Sequence, residues 1–168
     1  IGTHARDKDA VVATMLVVEM AKYFEANGKN LLEVLDELYA KFGYHLDYMI
    51  SKTLAGKAGM EQIGQIMAGF RTDAKAYFGD LNLVKFADFS KREGTDLTTG
   101  LVTKLEQPTS DVLKYYLEDG SWFAVRPSGT EPKIKFYCSV QGATKADAQA
   151  LIVKLEKTIL AFVDHIIA

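Results

Sequence analysis

Apolar residues recur at three- and four-residue spacing from Asp7 to Ala26 (Val12, Met15, Leu16, Met20, Tyr23 and Phe24), a pattern that predicts a helix. Asp7 and Asp9 stand near its start, where the helix macrodipole favours carboxylates, and Asn27-Gly28 supplies a left-handed stop. Val11, Ala13 and Val17 make the other face apolar too. Such a helix is expected to be buried on more than one side, and to need more protein around it than this chain holds. Asn30, with Glu33 three residues on, predicts a capping box for a second helix. Its stripe is Leu31, Leu35, Leu38 and Phe42, and Gly43 ends it. The two helices read as a hairpin.

After Gly43 the period changes from 3.6 to 2. Tyr44, Leu46, Tyr48 and Ile50 alternate with His45, Asp47 and Met49, predicting a half-buried strand to about Thr53. Gly56 to Phe70 returns to helical spacing, although Gly59, Gly64 and Gly69 each cost about 1 kcal/mol of helix propensity against alanine. Leu81–Phe89 reads as a strand, and polar Ser90–Ser110 reads as a loop punctuated by Gly94 and Gly100. Three strands follow: Asp111–Leu117, Ser121–Arg126 after an Asp119-Gly120 hairpin turn, and Ile134–Val140. In the last, Ile134, Phe136, Cys138 and Val140 point inward against Lys133, Lys135 and Tyr137. Thr144 and Asp147 cap a final helix with the stripe Ala148, Ile152, Leu155, Ile159, Phe162 and Ile166.

The order from Gly43 predicts an α+β domain in β-α-β-β-β-α order. It would be a mostly antiparallel sheet of four to five strands with helices on one face. Residues 1–42 read as the helical tail of a different, α/β domain, which places the boundary near Gly43.

Composition narrows the class. A net charge of −2 gives no global basic field for nucleic acid or membrane, and no apolar run approaches the roughly 20 residues of a membrane span. The start has no basic region followed by an apolar core, so no signal peptide is read. One cysteine, Cys138, forms no internal disulfide, which fits a reducing, cytoplasmic compartment. The chain begins at Ile1 without an initiator methionine, so it is expected to be a piece of a longer protein.

The chemistry concentrates in Arg126-Pro127-Ser128-Gly129-Thr130-Glu131-Pro132-Lys133, between two strands. Arg126 ends a strand, so the sheet directs it, and Pro127 and Pro132 fix φ at both ends. Gly129 allows close backbone approach, and the amides of Ser128 to Thr130 are candidates for an anion nest. Two hydroxyls add donors, and a guanidinium meets a phosphate bidentately. The competing reading is a tight strand connection whose Arg126 pairs with Glu131. The prolines and the Lys133/Lys135 pair favour the anion.

The run Arg-Pro-Ser-Gly-Thr-Glu-Pro-Lys resembles the phosphate-binding loop in the C-terminal domain of the α-D-phosphohexomutases, and His4-Ala5-Arg6-Asp7-Lys8-Asp9 resembles the stretch after that family's sugar-specificity loop. The resemblance implies that residues 1–42 come from domain 3 and residues 43–168 form domain 4. It implies an enzyme that interconverts hexose 1-phosphate and hexose 6-phosphate, glucose being the favoured sugar, through a phosphoserine and a hexose 1,6-bisphosphate. Domain 4 would grip the phosphate that is not reacting, through Arg126, Ser128, Gly129 and Thr130. Lys135 takes the place where relatives often have a second arginine, keeping the charge and losing the fork. Lys8 matches a family active-site lysine that contacts substrate and acts in proton transfer; its alternative is a solvated lysine between two aspartates. The magnesium ligands, the phosphoserine loop and the sugar-reading loop belong to parts of domains 1–3 outside this chain, so the fragment alone is expected to be inactive. The competing class is a stand-alone, non-catalytic domain that binds phosphorylated ligands or a partner.

His4, His45 and His165 lack metal-like spacing with Cys138 or one another, so no metal site is expected. Trp122 and the tyrosines are able to stack on a sugar, yet aromatics at strand period are more often core.

Overall fold

The computed structural model describes residues 8–54 and 56–168, and the chain divides into two compact units between Gly43 and Tyr44. Asp7 and the His4–Arg6 stretch lie outside the described residues. In the first unit, α1 spans Ala10–Ala26 and α2 spans Leu31–Phe42. The Val12 amide donates to the Asp9 carboxylate at 3.0 Å, satisfying one of the amides a helix start leaves without a backbone partner. At α2 the capping box is complete: the Leu32 and Glu33 amides donate to the Asn30 side chain, and the Asn30 amide donates to Glu33. No described residue of either helix is buried. Val11, Met15, Val17, Val18, Met20 and Tyr23 of α1 are exposed, so this chain does not supply the burial that an all-round apolar sequence predicts.

The second unit is an α+β layer. Its strands are β1 (Tyr44–Thr53), β2 (Leu83–Asp88), β3 (Glu93–Asp96), β4 (Val102–Lys104), β5 (Leu113–Leu117), β6 (Trp122–Pro127) and β7 (Lys133–Gly142). They form one antiparallel sheet in the order β1-β7-β6-β5-β2-β3-β4. The helices are α3 (Gly56–Thr72), the short α4 (Ala74–Tyr77) and α5 (Lys145–Ile167), with a 3₁₀ turn at Gly79–Leu81. The sheet has seven strands where four to five are predicted, because the polar stretch 90–110 contains the β3–β4 hairpin. Its turn is built by the Asp96 carboxylate, which accepts from the Thr98 and Thr99 amides at 2.8 Å each, and by Gly100 at φ 77°. With little apolar alternation, β3 and β4 carry no pattern for a strand reading to find.

Register sorts the sheet into two faces. On the core face one cross-strand row is Leu113, Val125, Phe136 and Ile50, and the next is Phe86, Tyr115, Phe123, Cys138 and Tyr48. Helices α3 and α5 add Ile63, Ile66, Met67 and Phe70, and Leu155, Ile159, Phe162 and Val163, to the same cluster. Phe70 is its hub, with ring centroids at 4.9 Å from Phe162, 5.7 Å from Phe136 and 6.0 Å from Phe78. Each such buried ring is worth about 3–5 kcal/mol on truncation to alanine. Two of the three α3 glycines have packing reasons. A Cβ on Gly59 would fall 1.9 Å from the Leu54 carbonyl oxygen, and one on Gly69 would fall 2.6 Å from Ile166 Cδ1.

Among the described residues the one buried charged group is Asp88, 2% exposed. It accepts from Arg71 Nε at 3.0 Å and from the Ser90 hydroxyl at 2.6 Å, while Arg71 Nη2 reaches Asp111 at 2.5 Å. Burial works against the Asp88 charge, but the Ser90 hydroxyl and the Arg71 guanidinium outweigh it and hold the carboxyl below its ordinary value.

Candidate functional site

The face of the sheet opposite the helices is the chemical face. Counting outward from the β6–β7 loop, its first row is Arg126, Lys135 and Ser51, paired in register across β6, β7 and β1. The second is Ala87, Lys114, Ala124, Tyr137 and Met49, and the third is Lys85, Tyr116, Trp122, Ser139 and Asp47.

The loop between Pro127 and Lys133 is a tight connection. The Ser128 amide donates to the Lys133 carbonyl at 2.8 Å, and the Lys133 amide to the Glu131 carbonyl at 2.7 Å. The Pro132 carbonyl accepts from the Leu54 amide at 2.8 Å, which ties the loop to the end of β1. The Ser128 hydroxyl accepts from the Glu131 amide at 3.3 Å, so this side chain also shapes the loop's interior. Of the three amides expected to form a nest, that of Ser128 is therefore engaged within the loop. Gly129 and Thr130 remain at its exposed tip, where Thr130 makes only a 3.5 Å contact to the Ser128 hydroxyl.

A pocket of about 280 Å³ opens here, walled by residues 126–130 with Lys135 and Tyr137. It brings together Arg126, Ser128, Gly129, Thr130 and Lys135, the five residues singled out in the sequence as phosphate ligands. Glu131 is not the partner of Arg126: its carboxylate takes Lys133 at 3.2 Å. Among the described residues no carboxylate pairs with Arg126 or with Lys135. Two like charges thus stand directly opposite across β6–β7, an arrangement that destabilises a sheet unless something negative lies between them. Lys8 belongs to the first unit, exposed and two residues before α1.

Tyr137 is the pocket residue missed in the sequence as a site residue; its alternation opposite Phe136 and next to Lys135 was the available signal. Trp122 lies on this open face and not in the core. Lys114 Nζ sits 3.7 Å from the Trp122 ring centroid and 4.9 Å from that of Tyr116, and burial lowers the Lys114 pKa. Cys138 faces the core, its thiol pushed up to about 12 by burial, which leaves it inert near neutrality. Among the described residues no group of three or more His, Cys, Asp or Glu is placed to hold a metal ion. No helix among them is long and apolar enough to cross a membrane.

Comparison with known proteins converges on one family. The family model described as "Phosphoglucomutase/phosphomannomutase, C-terminal domain" matches residues 61–157. A phosphoglucomutase of Staphylococcus saprophyticus is 35% identical over 137 residues, covering 82% of this chain and 25% of that protein. One from Staphylococcus aureus (strain MRSA252) is 35% identical over 136 residues, covering 81% of this chain and 24% of its own length. The chain thus spans about a quarter of the relatives it matches. The open form of pp63/parafusin, a phosphoglucomutase from Paramecium, superposes with a TM-score of 0.59 at 21% identity, over 96% of this chain and 28% of that one. That likeness shows the shared fold.

Proposed function

Because the chain belongs to the phosphoglucomutase/phosphomannomutase family and carries its C-terminal domain, we propose that it is the phosphate-gripping part of an enzyme interconverting glucose 1-phosphate and glucose 6-phosphate. The observation that carries this reading is the Arg126–Lys135 pair, in register, facing one way and without a carboxylate partner among the described residues. A phosphate between the two cations turns a repulsion into two attractions. The guanidinium offers a fork of donors, the ammonium a point charge, and the amides at the loop tip donate to the remaining oxygens.

In the cycle this reading implies, a phosphoserine elsewhere in the protein gives its phosphoryl group to the sugar, and the bisphosphate turns round and returns the other one. A pocket that recognises the phosphate and not the sugar carbon it hangs from accepts either end. Its contribution is positioning, on which phosphoryl transfer depends heavily. Magnesium, when bound, would supply charge neutralisation at the reacting phosphate. Lys8 would contribute proton transfer from the preceding unit, as the family resemblance suggests.

The test is calorimetric titration of the chain with inorganic phosphate. Saturable binding is expected, and Arg126→Gln is expected to weaken it about 10- to 100-fold, the scale of one charge-assisted contact. Equal affinity in the two proteins contradicts the reading.

A further inference from the structure

Resting on the phosphate reading of the Arg126–Lys135 pocket, we propose that Thr130 is a phosphorylation site whose phosphate ester turns back into that pocket and closes it to other anions. Thr130 is exposed at the tip of the loop and lines the pocket of about 280 Å³ together with Arg126 and Lys135. Among the described residues no hydrogen bond claims its hydroxyl. The other hydroxyl of the loop, that of Ser128, is half-buried and accepts from the Glu131 amide at 3.3 Å. Thr130 therefore offers the hydroxyl that is both exposed and uncommitted. The base of the loop is braced: the Ser128 amide donates to the Lys133 carbonyl and the Leu54 amide to the Pro132 carbonyl, each at 2.8 Å. The tip thus stands on a fixed support, with its hydroxyl at the mouth of a cationic pocket.

In the transfer, Thr130 Oγ1 attacks the terminal phosphorus of a nucleoside triphosphate held by a serine/threonine kinase. The new O–P bond forms as the bridging P–O bond to the nucleoside diphosphate breaks, and the hydroxyl proton passes to the kinase's catalytic carboxylate. The product carries a charge of about −1.5 to −2 at neutral pH and three acceptor oxygens. Arg126 and Lys135, the cations of the pocket, have no carboxylate partner among the described residues to compete with it. Glu131, the loop's own acid, pairs with Lys133 at 3.2 Å and does not line the pocket. A phosphate fixed to the pocket wall competes intramolecularly, at an effective concentration on the order of millimolar whatever the solution contains. It also replaces a hydroxyl donor by an anion, so a second phosphate meets repulsion where it met a hydrogen bond. The modification has a second signature. By placing negative charge against two like charges opposed in register, it stabilises the fold while it blocks the site.

The chain is made with phosphothreonine incorporated at position 130 during translation and compared with the unmodified chain in phosphate-free buffer. Calorimetry is expected to show inorganic phosphate binding weakened about 100-fold or more, and thermal unfolding a raised midpoint. Followed by its phosphorus resonance, the ester's second ionisation, ordinarily near about pH 6, is expected to fall below its value in the same chain unfolded in urea. Arg126→Gln in the modified chain returns it toward the unfolded value. Inorganic phosphate that binds the modified chain with unchanged affinity overturns the proposal and leaves the phosphate pocket standing. An ester that titrates as it does in urea, with no gain in midpoint, overturns it as well, since charge repulsion alone then accounts for any lost binding. If the unmodified chain does not bind inorganic phosphate and the ester titrates freely, the reading of the Arg126–Lys135 pocket fails and the proposal fails with it. Phosphopeptide mapping of the full-length protein from its own cells tests whether the site is used. A fraction modified at Thr130 is expected, and a Thr130 found only unmodified overturns its role as a site.

Discussion

Arg126 and Lys135 face each other across two hydrogen-bonded strands, and that placement explains more about this molecule than any other pair of side chains. Like charges directly opposite in a sheet cost stability, roughly 0.2–1 kcal/mol for such a pair. A position retained for binding and not for folding should therefore become more stable when its charge is removed. Lys135→Met is expected to raise the unfolding midpoint slightly in phosphate-free buffer and to lose most of the stabilisation that added phosphate gives the unsubstituted protein. Thermal unfolding of the two proteins with and without phosphate checks both signs. A midpoint that falls in phosphate-free buffer would mean that Lys135 stabilises the ligand-free fold. The one acid in the loop, Glu131, pairs with Lys133, the lysine that does not line the pocket, and not with Arg126 or Lys135.

At the scale of elements, Arg71 at the end of α3 ties that helix to Asp88 at the end of β2 and to Asp111 just before β5. Because the folded Asp88 carboxyl lies below its ordinary value of 3.8, its contribution is complete above that pH and is lost as acidification proceeds from there through the lower folded value. Asp88→Asn should cost about 1–3 kcal/mol near neutrality and flatten the decline in stability below pH 4, read by denaturant unfolding across pH. An unchanged acid limb would show that other carboxylates dominate it. Much of this level was legible in the sequence. Period 2 after Gly43, the Asp119-Gly120 turn and the caps at Asn30 and Thr144 all mark elements that form. The β3–β4 hairpin was not legible, since its stability comes from the Asp96 turn and its edge pairing, neither of which leaves an apolar period. The loop motif pointed to five pocket residues, whereas Tyr137, two residues beyond Lys135 on the same face of β7, carried only the weaker signal of alternation. Trp122 reads as core by period alone; the face it occupies depends on which residues its neighbours bury.

For the whole molecule, the charge is uneven. A chain of net −2 gathers Lys85, Lys114, Arg126 and Lys135 on one sheet face, against the carboxylates of Asp47 and of Asp96 opposite Lys85 in the same rows. Such a face attracts small anions without making the protein a general polyanion binder. The chain spans about a quarter of its relatives, and it contributes a grip and no phosphoryl donor in this account. It is accordingly expected to show no turnover of glucose 1-phosphate by itself in a coupled assay with magnesium and glucose 1,6-bisphosphate; measurable turnover would contradict that division of labour. The most direct measurement of the central claim is a titration with inorganic phosphate followed by backbone amide resonances. Saturable shifts are expected, centred on Gly129 and Thr130 and extending to Lys135, with α2 silent and about 10- to 100-fold more phosphate needed for the same response in Arg126→Gln. Shifts centred elsewhere, or none at the loop tip at saturating phosphate, would contradict it.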